Sequence, residues 1–292
     1  MARRALVLGS VVVLVLSGIG VYRIGVESQS DDPPPRSPQA PESLSPLKNV
    51  HRSPIARSIV HDQSARASVE KVVSSRSGVS DSYDELASMA TAGNSDAAYA
   101  LFLDIQRCSY SASVLNALES IAASASDEAS ASATERAVER AEMDRQFCAG
   151  MTPQMAESGF DWLAMAARSG NVDAKSQFFV HALARFSDPT ELIARSRELD
   201  ALKEESVRHL MDAAAAGNQQ SIGVLAEQYE QGMLVPRGPA RAYVFARVLE
   251  LAGARTAHLQ IDRLRPELDP AVLSDAERQA TEFFRHCCGG GG

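Results

Sequence analysis

Aromatic residues make up only 5% of this chain, and it has a single tryptophan, Trp162. That scarcity argues against a β-sandwich, whose packed faces draw on aromatic and β-branched side chains. Alanine is abundant instead. It has the highest helix propensity and little bulk, so closely packed helices are expected. Excess positive charge is also lacking. The net charge is −8; residues 80–286 carry 19 Lys/Arg against 31 Asp/Glu, net −12, and residues 1–79 carry ten against six. An acidic folded region argues against nucleic acid as a partner, because phosphates would be repelled.

Catalytic signatures are absent as well. There is no H-E-x-x-H, no G-x-S-x-G and no phosphate-binding glycine loop. Of the six histidines, His51 and His61 fall in a polar N-terminal stretch where nothing holds them in geometry. His181, in QFFVHALARF, reads as a packed or partly exposed imidazole on a helix. His209 and His258 are expected to face solvent or a neighbouring helix. The adjacent carboxylates Glu204-Glu205 and Asp127-Glu128 diverge on a helix and form no cooperating pair. The chain therefore reads as a non-enzyme, with no catalytic residue, cofactor or metal site expected.

Four cysteines are present: Cys108, Cys148, Cys287 and Cys288. Cys108 and Cys148 each follow a helical stretch, LFLDIQRC and EMDRQFC, and are expected to pair in an oxidising compartment. The alternative is two buried free thiols. No Cys or His sits nearby at zinc-ligand spacing. Cys287 and Cys288 lie beside His286 at the start of a glycine tail, residues 287–292, expected to be flexible.

The N-terminus carries an address. Met1–Arg4 (MARR) precedes ALVLGSVVVLVLSGIGVY, 18 uncharged residues from 5 to 22. As a helix this stretch spans roughly 27 Å at ~1.5 Å per residue, close to the ~30 Å of a hydrocarbon core. Residues 1–26 are therefore read as a signal anchor, with Arg3 and Arg4 on the cytoplasmic side and the rest outside. A cleaved signal peptide, with Gly18-Ile19-Gly20 as its small-x-small site, gives the same compartment. Residues 27–79 include DDPPPRSPQAPESLSP, where proline fixes φ and removes amide donors. They read as a disordered, proline-extended linker with one short helix near 64–74. A helical domain is expected over 80–286, with ESIAASASDEASASAT (119–134) as a mobile loop or a weak helix end.

Within that domain three segments align without gaps: LASMATAGNSDAAYAL from Leu86, LAMAARSGNVDAKSQF from Leu163 and LMDAAAAGNQQSIGVL from Leu210. Their common pattern is L-x-x-[AM]-A-x-x-G-N-x-x-[AS]-x-x-x-[LF]. Leu163, Ala166 and Ala167 share one helix face. Gly170 supplies a left-handed residue just past the helix end. Asn171 caps the next helix, and Asp173 meets its positive dipole end. Gly93 and Asn94, and Gly217 and Asn218, take the same roles. Each segment is thus an antiparallel helix pair with a very short turn. Gly170 and Gly217 are 47 apart, while Gly93 and Gly170 are 77 apart, so a degenerate unit or an insertion lies between them. The pattern continues weakly at Ala246, Leu249, Gly253, Ala257 and Ile261. Repeating helix pairs of this length suit an α-solenoid.

Residues 210–253, LMDAAAAGNQQSIGVLAEQYEQGMLVPRGPARAYVFARVLELAG, resemble the Sel-like repeat family, relatives of tetratricopeptide repeats. Tyr229, Gly232, Val235, Ala240 or Ala242, and Tyr243 stand where that family's repeat has comparable residues. Pro236-Arg237-Gly238-Pro239 replaces the usual loop, and the family's Asp is missing. The likeness covers 203–261 well, 158–180 less closely and 84–104 in part. It implies a superhelical scaffold that binds proteins in a concave groove lined by the first helices of the pairs, with no catalytic residues. The expectation is a protein-interaction adaptor of the bacterial cell envelope, anchored in the inner membrane and facing the periplasm. Trp162 is the candidate anchor for a bound peptide, with packing between repeats as its alternative role. The competing readings are a structural envelope domain without a discrete ligand and an unrecognised periplasmic enzyme.

Overall fold

A computed structural model describes residues 59–122, 128–186 and 188–289. The chain is all-α, and there is no strand among the described residues. The helices are α1 (Ile59–Ser75), α2 (Val79–Thr91), α3 (Ser95–Ala122), α4 (Glu128–Phe147), α5 (Pro153–Glu157), α6 (Gly159–Arg168), α7 (Val172–Ala184), α8 (Pro189–Ala194), α9 (Ser196–Ala215), α10 (Gln219–Gln231), α11 (Pro239–Leu251), α12 (Ala257–Leu264) and α13 (Pro270–Cys287). Packing follows chain order. α2 lies on α3, α3 on α6, α6 on α7, α7 on α9, α9 on α10, α10 on α11, and α11 on α12 and α13.

The hinges between paired helices are built alike. Gly93, Gly170, Gly217 and Gly253 have φ of +97°, +106°, +86° and +90°. At each, the glycine N–H bonds back to the third carbonyl before it, and the next N–H reaches the fifth. The second bond is Asn94 to Met89 at 3.0 Å, Asn171 to Ala166 at 3.0 Å, Asn218 to Ala213 at 3.0 Å and Ala254 to Leu249 at 3.0 Å. This is the Schellman arrangement, which satisfies carbonyls that a helix end otherwise leaves bare. At the first three hinges the asparagine then serves the following helix. Its side-chain oxygen accepts from Ala97 N at 3.1 Å, Ala174 N at 2.8 Å and Ser221 N at 2.8 Å. One residue thus closes one helix and opens the next, which keeps the turn short. The fourth hinge lacks the asparagine, and Thr256 before α12 makes no side-chain cap. The weak pattern around Gly253 is therefore a genuine fourth pair with a poorer start.

Two large apolar clusters follow from the faces these pairs bury. The first joins Leu86, Leu101, Phe102, Leu163, Phe178 and Leu202 with the hinge-flanking alanines. The second joins Leu210, Ile222, Leu225, Tyr243, Phe245, Ile261 and Phe283. α9 feeds both, giving Leu202 to one and Leu210 and Ala214 to the other. The first and second hinges are also tied side to side, since Asn171 Nδ2 donates to Asp96 Oδ1 at 2.7 Å.

Three boundaries differ from the sequence-based expectation. α1 begins at Ile59, and its Val69 is 6% exposed in the first cluster, so ordered structure starts well before residue 80. Arg76, just after α1, forms a two-pronged ion pair with Asp104 on α3 (Nη2–Oδ1 2.6 Å) that fixes α1 to the body. The Ala/Ser-rich stretch, read as a mobile loop or a weak helix end, is helical up to Ala122 and again from Glu128, as the high helix propensity of alanine favours. Between Gly93 and Gly170 this makes a long α3/α4 hairpin, an insertion rather than a degenerate repeat. At the C-terminus, Cys287 ends α13, and Cys287 and Cys288 pack against the second cluster. These two residues are thus part of the folded body; 290–292 lie outside the described residues. The expected 5–22 anchor and residues 27–58 of the linker also lie outside them. Among the described residues no helix is long and apolar enough to cross a membrane.

Candidate functional site

The helix that carries Trp162 has two flanks, and they differ. Toward α2 the space is filled. Trp162 Nε1 donates to the Tyr83 hydroxyl at 3.2 Å, the two rings meet edge to face at 6.3 Å, and the Tyr83 hydroxyl also lies 3.1 Å from Ser158 Oγ. Trp162 is therefore a packing residue between α2 and α6. It is part-buried and is not among the residues that line the cleft described next. Gly159 permits the close approach of this helix to α3, since a Cβ there would sit 3.0 Å from Ile105 Cγ2.

Toward α9 the space is open. A cleft of about 650 Å³ lies between α6 and α9, closed at one end by Arg185 just past α7. Both bounding helices are the first members of their hinged pairs. Its floor is apolar: Phe160, Ala164, Met165, Ala201 and Leu202. Phe160 is held from behind by Phe178 of the core, ring centroids 5.4 Å apart, and from the side by the Arg185 guanidinium at 4.7 Å. The rims carry charge of both signs. Arg168 Nε donates to Glu205 Oε1 at 2.7 Å and Nη2 to Oε2 at 3.1 Å. That forked bond holds the Glu205 carboxyl below its usual range and the Arg168 guanidinium above its own. At the other end Arg185 Nη1 stands 3.7 Å from Glu198 Oε1, while Arg195 Nη2 donates to the same oxygen at 2.7 Å. Asp161 and Ser169 complete the lining. An apolar floor between two ion-paired rims suits a chain segment that presents apolar side chains inward and polar groups at its edges.

Two of the histidines pack against aromatic rings. His209 faces the neighbouring helix α7, buried against the Phe178 ring (4.9 Å), and burial lowers its pKa. Its Nε2 lies 3.4 Å from Glu205 Oε1. His181 packs edge-on to Phe102 at 4.8 Å and is likewise shifted down by burial. His258 is exposed. Glu204 and Glu205 do diverge: Glu204 is exposed while Glu205 faces Arg168. Among the described residues no group of three His, Cys, Asp or Glu is placed to hold a metal ion.

Cys108 and Cys148 are joined by a disulfide, Cα atoms 5.5 Å apart. A second bond joins Cys287 to Cys288. The turn residues Gly93, Asn94, Gly170, Asn171, Gly217 and Asn218 lie at hinges, outside the cleft lining. The cleft residues themselves escaped the sequence reading. One signal was there: Arg168 and Glu205, and Lys175 and Asp212 (Nζ–Oδ2 2.8 Å), are opposite charges at the same 37-residue separation.

Comparison with protein-family models finds no match for this chain, and no curated protein matches it.

Proposed function

We propose that this protein is a non-catalytic adaptor of the cell envelope, a Sel-like α-solenoid that binds a protein partner along the first helices of its pairs. The observation that carries this reading is the α6/α9 cleft. Its floor is apolar and its rims are paired, and the helices that line it come from two successive hinged units. The ordered stacking of four Gly-hinged pairs supports the solenoid, and the 18 uncharged residues from 5 to 22 support inner-membrane anchoring with the helical body in the periplasm. The Cys108–Cys148 disulfide suits that oxidising compartment.

A photo-crosslinking amino acid at Ala201, in the cleft, tests the reading in intact cells. The same probe at Val180, exposed on α7 away from the cleft, is the control. A discrete adduct from position 201 that Ala164→Arg abolishes supports the adaptor. Equal adducts from both positions, or none from 201, refute it and leave the structural envelope domain.

A further inference from the structure

α4 is attached differently from every other long helix. It packs chiefly on α3, and neither large apolar cluster takes a described residue from it. Its sequence, EASASATERAVERAEMDRQF, offers few large apolar groups; Val138 and Met143 are exposed, and Ala141 is the one described apolar residue buried before Phe147. Among the described side chains, three ties between α4 and the body are gathered at its C-terminal end. Phe147 lies against two guanidiniums, Arg107 at 4.1 Å and Arg76 at 5.3 Å from its ring centroid. Arg107 Nε donates to Asp144 Oδ1 at 2.7 Å. The third tie is covalent, Cys108–Cys148. Val79, Cys108 and Phe147 form a small apolar cluster of their own there, separate from the two main ones.

The two sulfurs of this bond are not equivalent. Cys108 is 3% exposed, on the inner face of α3, whereas Cys148 is half-buried at the helix end. An incoming thiolate can therefore reach Cys148 and not Cys108. We propose that Cys108–Cys148 is a reducible clasp, and that a dithiol reductant acting at Cys148 releases α4 as an arm while the stacked pairs from α6 onward stay folded. In the first step a reductant thiolate bonds to Cys148 Sγ, the Cys108–Cys148 bond breaks, and Cys108 leaves as a thiolate and takes up a proton. In the second, the other reductant thiol displaces Cys148. Two electrons pass to the protein, giving two thiols, and the reductant becomes a disulfide. Release uncovers the α3 face that carries Cys108 and Ser111, both buried in the clasped state. Local opening of this kind is expected where apolar contacts are few and the rest of the body has its own core.

Hydrogen exchange on the full-length chain tests this, in a Cys287→Ser/Cys288→Ser background so that only one disulfide remains. Reduction by dithiothreitol under native conditions should raise exchange across 128–148 at least tenfold and leave 163–215 within twofold. Brief treatment with reduced and oxidised glutathione should place the mixed disulfide on Cys148 at least fivefold over Cys108 by peptide mapping. A rise that spreads through 163–215 would make the bond a global staple and overturn the proposal. Unchanged exchange over 128–148, or glutathione mainly on Cys108, would overturn it as well.

Discussion

Gly217 and Gly170 hold the same place in their hinges, yet replacing them with alanine should have different costs. At Gly170 a Cβ would meet nothing within 4 Å, so the penalty is backbone conformation alone. A left-handed residue with a Cβ costs about 1–2 kcal/mol, and the stiffer unfolded chain returns about 0.4–1 kcal/mol. Gly170→Ala should therefore destabilise by about 1 kcal/mol. At Gly217 the φ is similar, +86°, but the new Cβ would lie 2.9 Å from the carbonyl oxygen of Cys287 and 4.0 Å from Cys288 Sγ. That oxygen belongs to backbone at the end of α13, so the last turn of α13 must move. Overpacking of this sort adds about 1–3 kcal/mol, for a total of about 2–4 kcal/mol. Urea unfolding of the full chain followed by helical circular dichroism reads both numbers. A chain ending at Phe284 supplies the cycle: without the contact, Gly217→Ala should cost what Gly170→Ala costs, within about 0.5 kcal/mol. Equal penalties in the full chain, or an unchanged Gly217→Ala penalty in the shortened one, would refute the docking of α13 onto the third hinge.

Burial pushes the Asp104 carboxyl up to about 6, above its usual 3.8, even with Arg76 and Arg107 beside it. A raised carboxyl favours folding most below the unfolded pKa and loses that contribution as pH rises through the folded one. The melting temperature of the wild type minus that of Asp104→Asn should therefore fall between pH 4 and pH 6 and level off above; a difference flat across that window counts against the assignment. Asn171→Ala should cost about 1–2 kcal/mol, because it loses both the cap to Ala174 and the bond to Asp96, whereas Asn218→Ala loses a cap alone and should cost about 1 kcal/mol in the same urea assay. Trp162→Phe should cost about 1 kcal/mol through the lost bond to Tyr83 while leaving crosslinking from position 201 intact; loss of the crosslink with stability retained would return Trp162 to a partner-binding role.

The hinges were legible because their chemistry is local. A glycine that must take positive φ, followed by an asparagine that caps, leaves its mark within two residues, and alanines on either side report close helices. Even Gly253, stripped of its asparagine, kept the glycine and the apolar spacing. What could not be read depends on residues far apart in the chain. A helix near 64–74 is legible in the sequence, but its docking is not: α1 has a thin apolar face, Val69, Val72 and Val73, and is fixed by the Arg76–Asp104 pair across 28 residues. The C-terminal cysteines looked like tail because their cover comes from the third hinge. The cleft combines α6, the end of α7 and α9, elements brought together from 160 to 205. Trp162 was singled out by rarity, but its partner, Tyr83, is 79 positions away.

The double membership of α9 has a mechanical side. Leu202 and Leu210 stand about two turns apart on one continuous rod, each sunk in a different oily interior. Because that rod is unbroken from Ser196 to Ala215, a displacement of α9 at Leu202 also moves Leu210 in the other interior. A group wedged beside Leu202 would thus press on both interiors at once.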